Sequence, residues 1–360
     1  MADKRPPARV LLIPLGVVAI VAVLILASAW RGGGFGFSTV DTAALAPARL
    51  TLDGSLLLLR EADGSFELVA VSLGSRERLA AAQLDRRPLR IVPTPGGVSA
   101  FVLWPDTNRV TVFDTETLEV QRDFTLDGVS RPTELSFSPN GEQVFVVDGD
   151  GSEVVEYRHQ RLELTEIRRM VLAGFGPVLT NRRATRLYRA TPEAIRVYFA
   201  QTGDLVETYS VATGGVRLAS LQAADLRFDA DYTALWGVDE TGKPVVVDER
   251  TGRIASPSNA VALSGAPAAG ERVGFLSTDG RSVVRVNPRE PDRVEATVDL
   301  PQTALTVVAP HAALLWAITG EGSIVDVSGA SARAVADLEL PGIVEAISSP
   351  VDRGGSFACF

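Results

Sequence analysis

The apolar positions of this chain fall into two regimes. The first is an uncharged run at 10–30, VLLIPLGVVAIVAVLILASAW, which stands behind Lys4, Arg5 and Arg9. The second begins after residue 46, where the helical period almost vanishes. Short β-rich runs bounded by turn residues replace it: RVTVF at 109–113, QVFVVD at 143–148 and PVVVD at 244–248. Long amphipathic helices are missing, so the strand–helix alternation of an α/β sheet is absent. The pattern predicts an all-β domain over 46–360.

Two kinds of turn recur along that domain. One precedes the most apolar strand of each unit: Asp53-Gly54, Gly96-Gly97, Asn140-Gly141, Asn181-Arg182, Asp231, Ala269-Gly270, Pro310-His311 and Arg353-Gly354. The steps average about 43 residues, the length of a four-stranded propeller blade. A second marker joins two later strands, as in FDTETLEV at 113–120, FAQTGDLV at 199–206 and VDERTGRI at 247–254. Trp104, Trp236 and Trp316 close three of the apolar strands. Recurrence at one register suits rings that fill the wedge between blades better than a ligand platform.

These segments resemble the YVTN-type β-propeller repeat family. LSFSPNGEQVFVVD at 135–148 looks like the family's "SPDG" turn and the strand after it. RVTVFDT at 109–115 resembles its "VSVIDT" strand, and GVSRP at 128–132 its link between blades. The resemblance is best over 90–160, weaker over 40–90 and 220–290, and poor around Asn181-Arg182-Arg183. It implies a propeller and says little about chemistry, because such repeats serve as binding platforms, assembly factors and occasionally enzymes. Seven blades are expected, with Ile343–Ser348 and Ser356–Phe360 completing the blade that begins near Arg49. The alternative is eight blades, with the last finished by 35–40. Either closure brings the ends of the domain together and removes unpaired edges.

The N-terminal run sets the expected location. Its rise of roughly 31 Å matches a hydrocarbon core of about 30 Å, with the cationic end on the cytoplasmic side. A single-pass anchor at 10–30 is expected, with a short cytoplasmic tail at 1–9, a glycine-rich spacer at 31–45 and the propeller outside the cytoplasmic membrane. The alternative is a secreted protein cleaved after Ala29, since Ala27-Ser28-Ala29 fits a signal-peptidase site. A net charge of −9 argues against nucleic acid as a partner.

Candidate chemistry is sparse. His159 and His311 are isolated and read as surface side chains, and no catalytic or metal cluster or cofactor motif is found. Asp148-Gly149-Asp150-Gly151-Ser152 starts like a calcium loop but continues with Glu153 and ends on His159, so it reads as a hairpin turn. Cys359 reads as buried packing. The unusual feature is charge: nine arginines between 158 and 196 face only Glu163, Glu166 and Glu193. Arg169, Arg182, Arg183, Arg186 and Arg189 form the candidate basic patch, able to grip carboxylates or phosphates. A solvated blade edge would explain the same charges. The expected role is a non-enzymatic platform, a monomeric ectodomain that binds an envelope protein or an anionic polymer. The alternative is a lactonase-like propeller hydrolase with a central-channel site.

Overall fold

The computed structural model describes residues 52–149, 151–210, 227–228, 234–238, 244–252, 254–255, 263–269, 273–287, 290, 293–311 and 313–350. The chain divides into Met1–Leu50 and Thr51–Phe360, so the expected anchor and spacer lie outside the described residues, as do 35–40, 356–360 and Cys359. No helix among the described residues is long and apolar enough to cross a membrane.

Among the described residues, twenty-eight strands form seven four-stranded antiparallel sheets, and the fold is an all-β propeller. Sheet 1 holds Ile343–Pro350, Gly54–Ala62, Ser65–Ser72 and Arg78–Leu84 in spatial order. Sheet 2 holds Arg90–Pro93, Ser99–Leu103, Arg109–Asp114 and Val120–Thr125. Sheet 3 holds Pro132–Phe137, Gln143–Asp148, Glu153–Gln160 and Glu163–Val171. Sheet 4 holds Phe175–Thr180, Arg186–Thr191, Ala194–Phe199 and Leu205–Ser210. Sheet 5 is built on Ala234–Val238 and Pro244–Asp248, flanked by Arg227–Phe228 and Ile254–Ala255. Sheet 6 holds Leu263–Ala269, Val273–Ser277, Ser282–Val286 and Val294–Asp299; sheet 7 holds Ala304–His311, Leu314–Thr319, Ser323–Asp326 and Arg333–Asp337.

The repeated turns at 53–54, 96–97, 140–141, 181–182 and 310–311 each fall just before the second strand of a sheet, while Asp231 and Gly270 lie outside the described residues. Sheet 1 is the exception that closes the ring. Its first strand is the C-terminal Ile343–Pro350, which pairs with Gly54–Ala62 from Gly54↔Pro350 to Arg60↔Ile343. Arg353-Gly354, the eighth marker, lies outside the described residues and follows that C-terminal strand.

The second strands are apolar almost without interruption because both of their faces are buried. Successive side chains point to opposite faces. Leu56 and Leu58 therefore pack on Val308, Trp316 and Ile318 of sheet 7. Leu57 and Leu59 pack on Ile91, Ala100 and Val102 of sheet 2. One apolar cluster of this kind bridges each neighbouring pair of sheets around the whole ring. Trp104, Trp236 and Trp316 lie in three of these seams and are 4%, 0% and 2% exposed, as expected of wedge-fillers. The first strands touch in succession from sheet 5 through sheets 6, 7, 1, 2 and 3 to sheet 4, so they surround the axis. The fourth strands are mostly exposed.

The second marker owes its sequence to a left-handed residue. Gly203 and Gly252 take φ of 78° and 65°, and each donates its N–H back to the residue that closes the third strand. Leu118 and Arg76 hold the same position at φ 56° and 64° without the freedom of glycine. Asp114 supports its turn by accepting the N–H groups of Glu116 and Thr117, both at 2.9 Å.

Candidate functional site

The ring has two rims. On the upper rim the first strands end and the second begin, and the chain enters the propeller there at Gly54. The lower rim carries the links from one sheet to the next. Of the nine arginines in the basic run, some are consumed inside the fold and some are displayed on the upper rim.

Arg189 is a correction to the surface patch, because its side chain is fully buried. It shares a face of the second strand of sheet 4 with buried Leu187, which packs against sheet 3. Its guanidinium donates to the carbonyls of Gly176 (2.5 Å), Gly174 (2.8 Å) and, across the seam, Gly151 (2.5 Å). Burial pushes its pKa down to about 10. The segment around Gly174 wraps so tightly that a Cβ there would lie 2.8 Å from the Cβ of Arg189 and 2.6 Å from the Ala190 carbonyl oxygen.

Arg169 lies toward the lower rim and is also held. It donates to Glu166 at 3.0 and 2.9 Å, to Glu153 at 2.9 Å and to the Gly128 carbonyl at 2.7 Å. The hydrogen bonds to Glu166 hold its pKa above the usual guanidinium range. Arg186 is half-buried on the upper rim, 3.6 Å from Glu207 and 3.9 Å from Glu249 across the seam to sheet 5. Beside it, Tyr188 donates to Glu249 at 2.6 Å and Tyr209 to Glu207 at 3.1 Å. Arg168 donates to Glu156 at 2.7 Å and to the carbonyls of Ala200 and Gln201, clamping sheet 3 to sheet 4.

Arg182 and Arg183 remain from the expected patch, and the fold adds two neighbours. Both are exposed in the turn 181–185. Asn181 shapes that turn, its side-chain oxygen accepting the N–H groups of Thr185 (2.9 Å) and Arg186 (3.2 Å). Arg158 and Arg161 are exposed at the adjacent hairpin of sheet 3. No carboxylate pairs with any of these four among the described residues. Arg161 and Leu162 form the two-residue turn at φ 51° and 63°, where glycine or asparagine is usual. Sequence order hid this grouping, because 158–161 and 181–185 lie on different sheets.

One histidine is better embedded than expected. His159 is half-buried: it shares the strand face of Val155 and Tyr157 in the seam between sheets 2 and 3. Its ring meets Phe101 and Phe137 edge-on, at 5.4 and 5.5 Å between centroids. Its Nδ1 is 2.8 Å from the Gly141 carbonyl, and its Nε2 is buried with no partner among the described residues. His311 ends the first strand of sheet 7, where its Nδ1 accepts the N–H of Ala313 at 3.2 Å.

The carboxylate of Asp148 accepts the N–H groups of Ser130 (3.0 Å) and Arg131 (2.6 Å), which fixes the link between sheets 2 and 3. Burial would raise its pKa, but these backbone donors and Gly149 outweigh that and hold it below the usual carboxylate range. Near the lower mouth of the axis, Arg90 and Glu134 form a two-bond pair at 2.8 and 2.5 Å between neighbouring first strands. No group of three or more His, Cys, Asp or Glu able to hold a metal occurs among the described residues.

No protein-family model matches the chain, and no curated protein does. Among solved structures it is similar to the dihydro-heme d1 dehydrogenase NirN in complex with DHE, with a TM-score of 0.50 and 16% identity. That likeness covers 83% of this chain and 65% of the other, so the chain spans less than two thirds of that protein. It is also similar to Kuenenia stuttgartiensis hydrazine synthase, at a TM-score of 0.42 and 16% identity, covering 66% of this chain and 76% of the other. At such identity the NirN likeness is one of fold, and it places the chain among β-propellers.

Proposed function

We propose that this chain is a membrane-tethered, seven-bladed propeller outside the cytoplasmic membrane, acting as a non-enzymatic binding platform for an envelope protein or an anionic polymer. The observation that carries this reading is how the charged side chains are divided. Arg168, Arg169, Arg186 and Arg189 hold the fold, whereas Arg158, Arg161, Arg182 and Arg183 are presented to solvent. Guanidinium forks in that setting suit carboxylate or phosphate groups of a partner. At the axis, Arg90 and Glu134 satisfy each other, which leaves that pair as scaffold rather than as acid and base.

The test is photo-crosslinking of the tethered full-length chain in cells, with metal analysis of the purified protein. A protein or polymer adduct that depends on the position of the crosslinker is expected. A stoichiometric divalent ion together with lactone hydrolysis would overturn the platform in favour of an enzyme.

A further inference from the structure

The upper rim carries more than arginine. Among the described residues, six of the nine large apolar side chains that are exposed lie on it: Leu79, Val98, Val120, Phe199, Leu205 and Val206. Three of these gather at one corner of sheet 4, where Phe199 is 38%, Leu205 52% and Val206 53% exposed. Phe199 pairs across the sheet with Arg186, so this corner adjoins the turn that holds Arg182 and Arg183. The hairpin of Arg158 and Arg161 stands on the neighbouring sheet at the same height. Arg168 of that sheet is bonded to the Ala200 and Gln201 carbonyls, which ties the two corners into one surface.

The carboxylates of this corner are largely engaged. Glu163 pairs with Arg122 at 3.0 Å, and Glu207 lies with Arg186 and Tyr209. Asp204 accepts from Thr202, and Glu142 from Asn140. On the same rim, sheet 2 presents Asp114, Glu116 and Glu119 in its outer turn, which bounds the cationic surface on that side. The chain also enters the propeller on this rim, at Gly54, downstream of the apolar run at 10–30.

We infer that the corner formed by sheets 3 and 4 rests on an anionic phospholipid bilayer, with Arg158, Arg161, Arg182 and Arg183 on headgroup phosphates and Phe199, Leu205 and Val206 at the acyl boundary. Interleaved cationic and apolar side chains are the composition of an interfacial membrane contact. Each guanidinium meets the negative surface potential within a Debye length of the headgroups. The inference rests on the tethered reading above. It makes headgroup phosphate the anionic group that these four arginines meet, and turns the lower rim away from the bilayer.

The experiment uses the full-length chain in vesicles of phosphatidylcholine, with or without phosphatidylglycerol. With C359S as background, an environment-sensitive fluorophore is placed at T202C on the upper rim or at E193C on the lower. A blue shift and quenching by lipid-borne quenchers are expected at 202 and not at 193. Both should appear only with phosphatidylglycerol, weaken in high salt, and disappear in the triple variant R161E/R182E/R183E. Circular dichroism of that variant checks that the strands remain. Equal quenching at the two positions, or a signal at 202 indifferent to lipid charge, would overturn the contact while leaving the tether intact. A chain that fails to float with either vesicle overturns both.

Discussion

Arg189→Ala isolates the seam that the sequence conceals. The guanidinium is fully buried, and its pKa near 10 means that the cation is carried at a cost of roughly 3 kcal/mol relative to water. Three donated bonds to Gly151, Gly174 and Gly176 offset that cost. Alanine would strand these carbonyls, each worth about 1–3 kcal/mol if water cannot reach it, and would leave a void. The expected loss is ~3–5 kcal/mol, because partial hydration of the loop and relief of the buried charge reduce the gross sum. Arg189→Met keeps most of the volume and removes the charge, so it should cost only about 1–2 kcal/mol. Urea unfolding followed by tryptophan fluorescence measures both, since Trp104, Trp236 and Trp316 report from three other seams. An alanine variant within about 1 kcal/mol of the parent would refute the clamp. So would a methionine variant less stable than the alanine one.

Truncation after Gly342 removes the strand Ile343–Pro350 that pairs with one edge of Gly54–Ala62, and should abolish cooperative unfolding, read as loss of the thermal transition in circular dichroism. Asp148→Ala should cost about 2 kcal/mol at neutral pH by freeing the Ser130 and Arg131 donors. Because the folded pKa of Asp148 is depressed, its contribution is complete above the usual carboxylate pKa of about 4 and fades as pH falls through the folded value. Melting temperatures of parent and variant should therefore converge in acid. Burial raises the pKa of Tyr157, Tyr188 and Tyr209 above that of free tyrosine, and bonds to Glu249 and Glu207 add to it for the latter two. Their stabilisation is present below about pH 10 and lost as pH climbs toward the folded values, while Arg189 acts in the opposite sense. Absorbance at the phenolate band should show these three ionising together with unfolding, rather than before it.

The repeat was legible because each sheet must turn at the same places, and turns constrain residue type more than strands do. Asn140-Gly141 and Gly203 announce their positions, whereas Leu118 and Arg76 take left-handed φ without any residue that signals it. The tryptophans were legible for a related reason, since a ring that recurs at one register meets the same neighbour each time. The candidate patch of Arg169, Arg182, Arg183, Arg186 and Arg189 mixes side chains that the fold buries or pairs with two that it leaves exposed. Strand alternation held the correction: Arg189 is two residues from buried Leu187, and His159 two from buried Tyr157. What alternation could not supply is the receiving side. The carbonyls that accept Arg189 come from Gly151, Gly174 and Gly176, whose approach depends on how two sheets meet. The arginine-bearing corner was equally hidden, because only the ring brings 158–161 beside 181–185.

Closure by Ile343–Pro350 orders events in time. A chain that leaves the ribosome or a translocase N-terminus first presents Gly54–Ala62 long before its partner exists. For nearly the whole length of the domain that strand has one free edge and one apolar face with nothing to cover it. The bond from the Ser349 hydroxyl to the Gly97 carbonyl joins residues 252 positions apart, which marks how late the fold becomes whole. Synthesis of the last strand must therefore finish before the native state can exist. During that interval the nascent protein depends on chaperones or on crowding by its own later sheets to keep the first from pairing with a stranger.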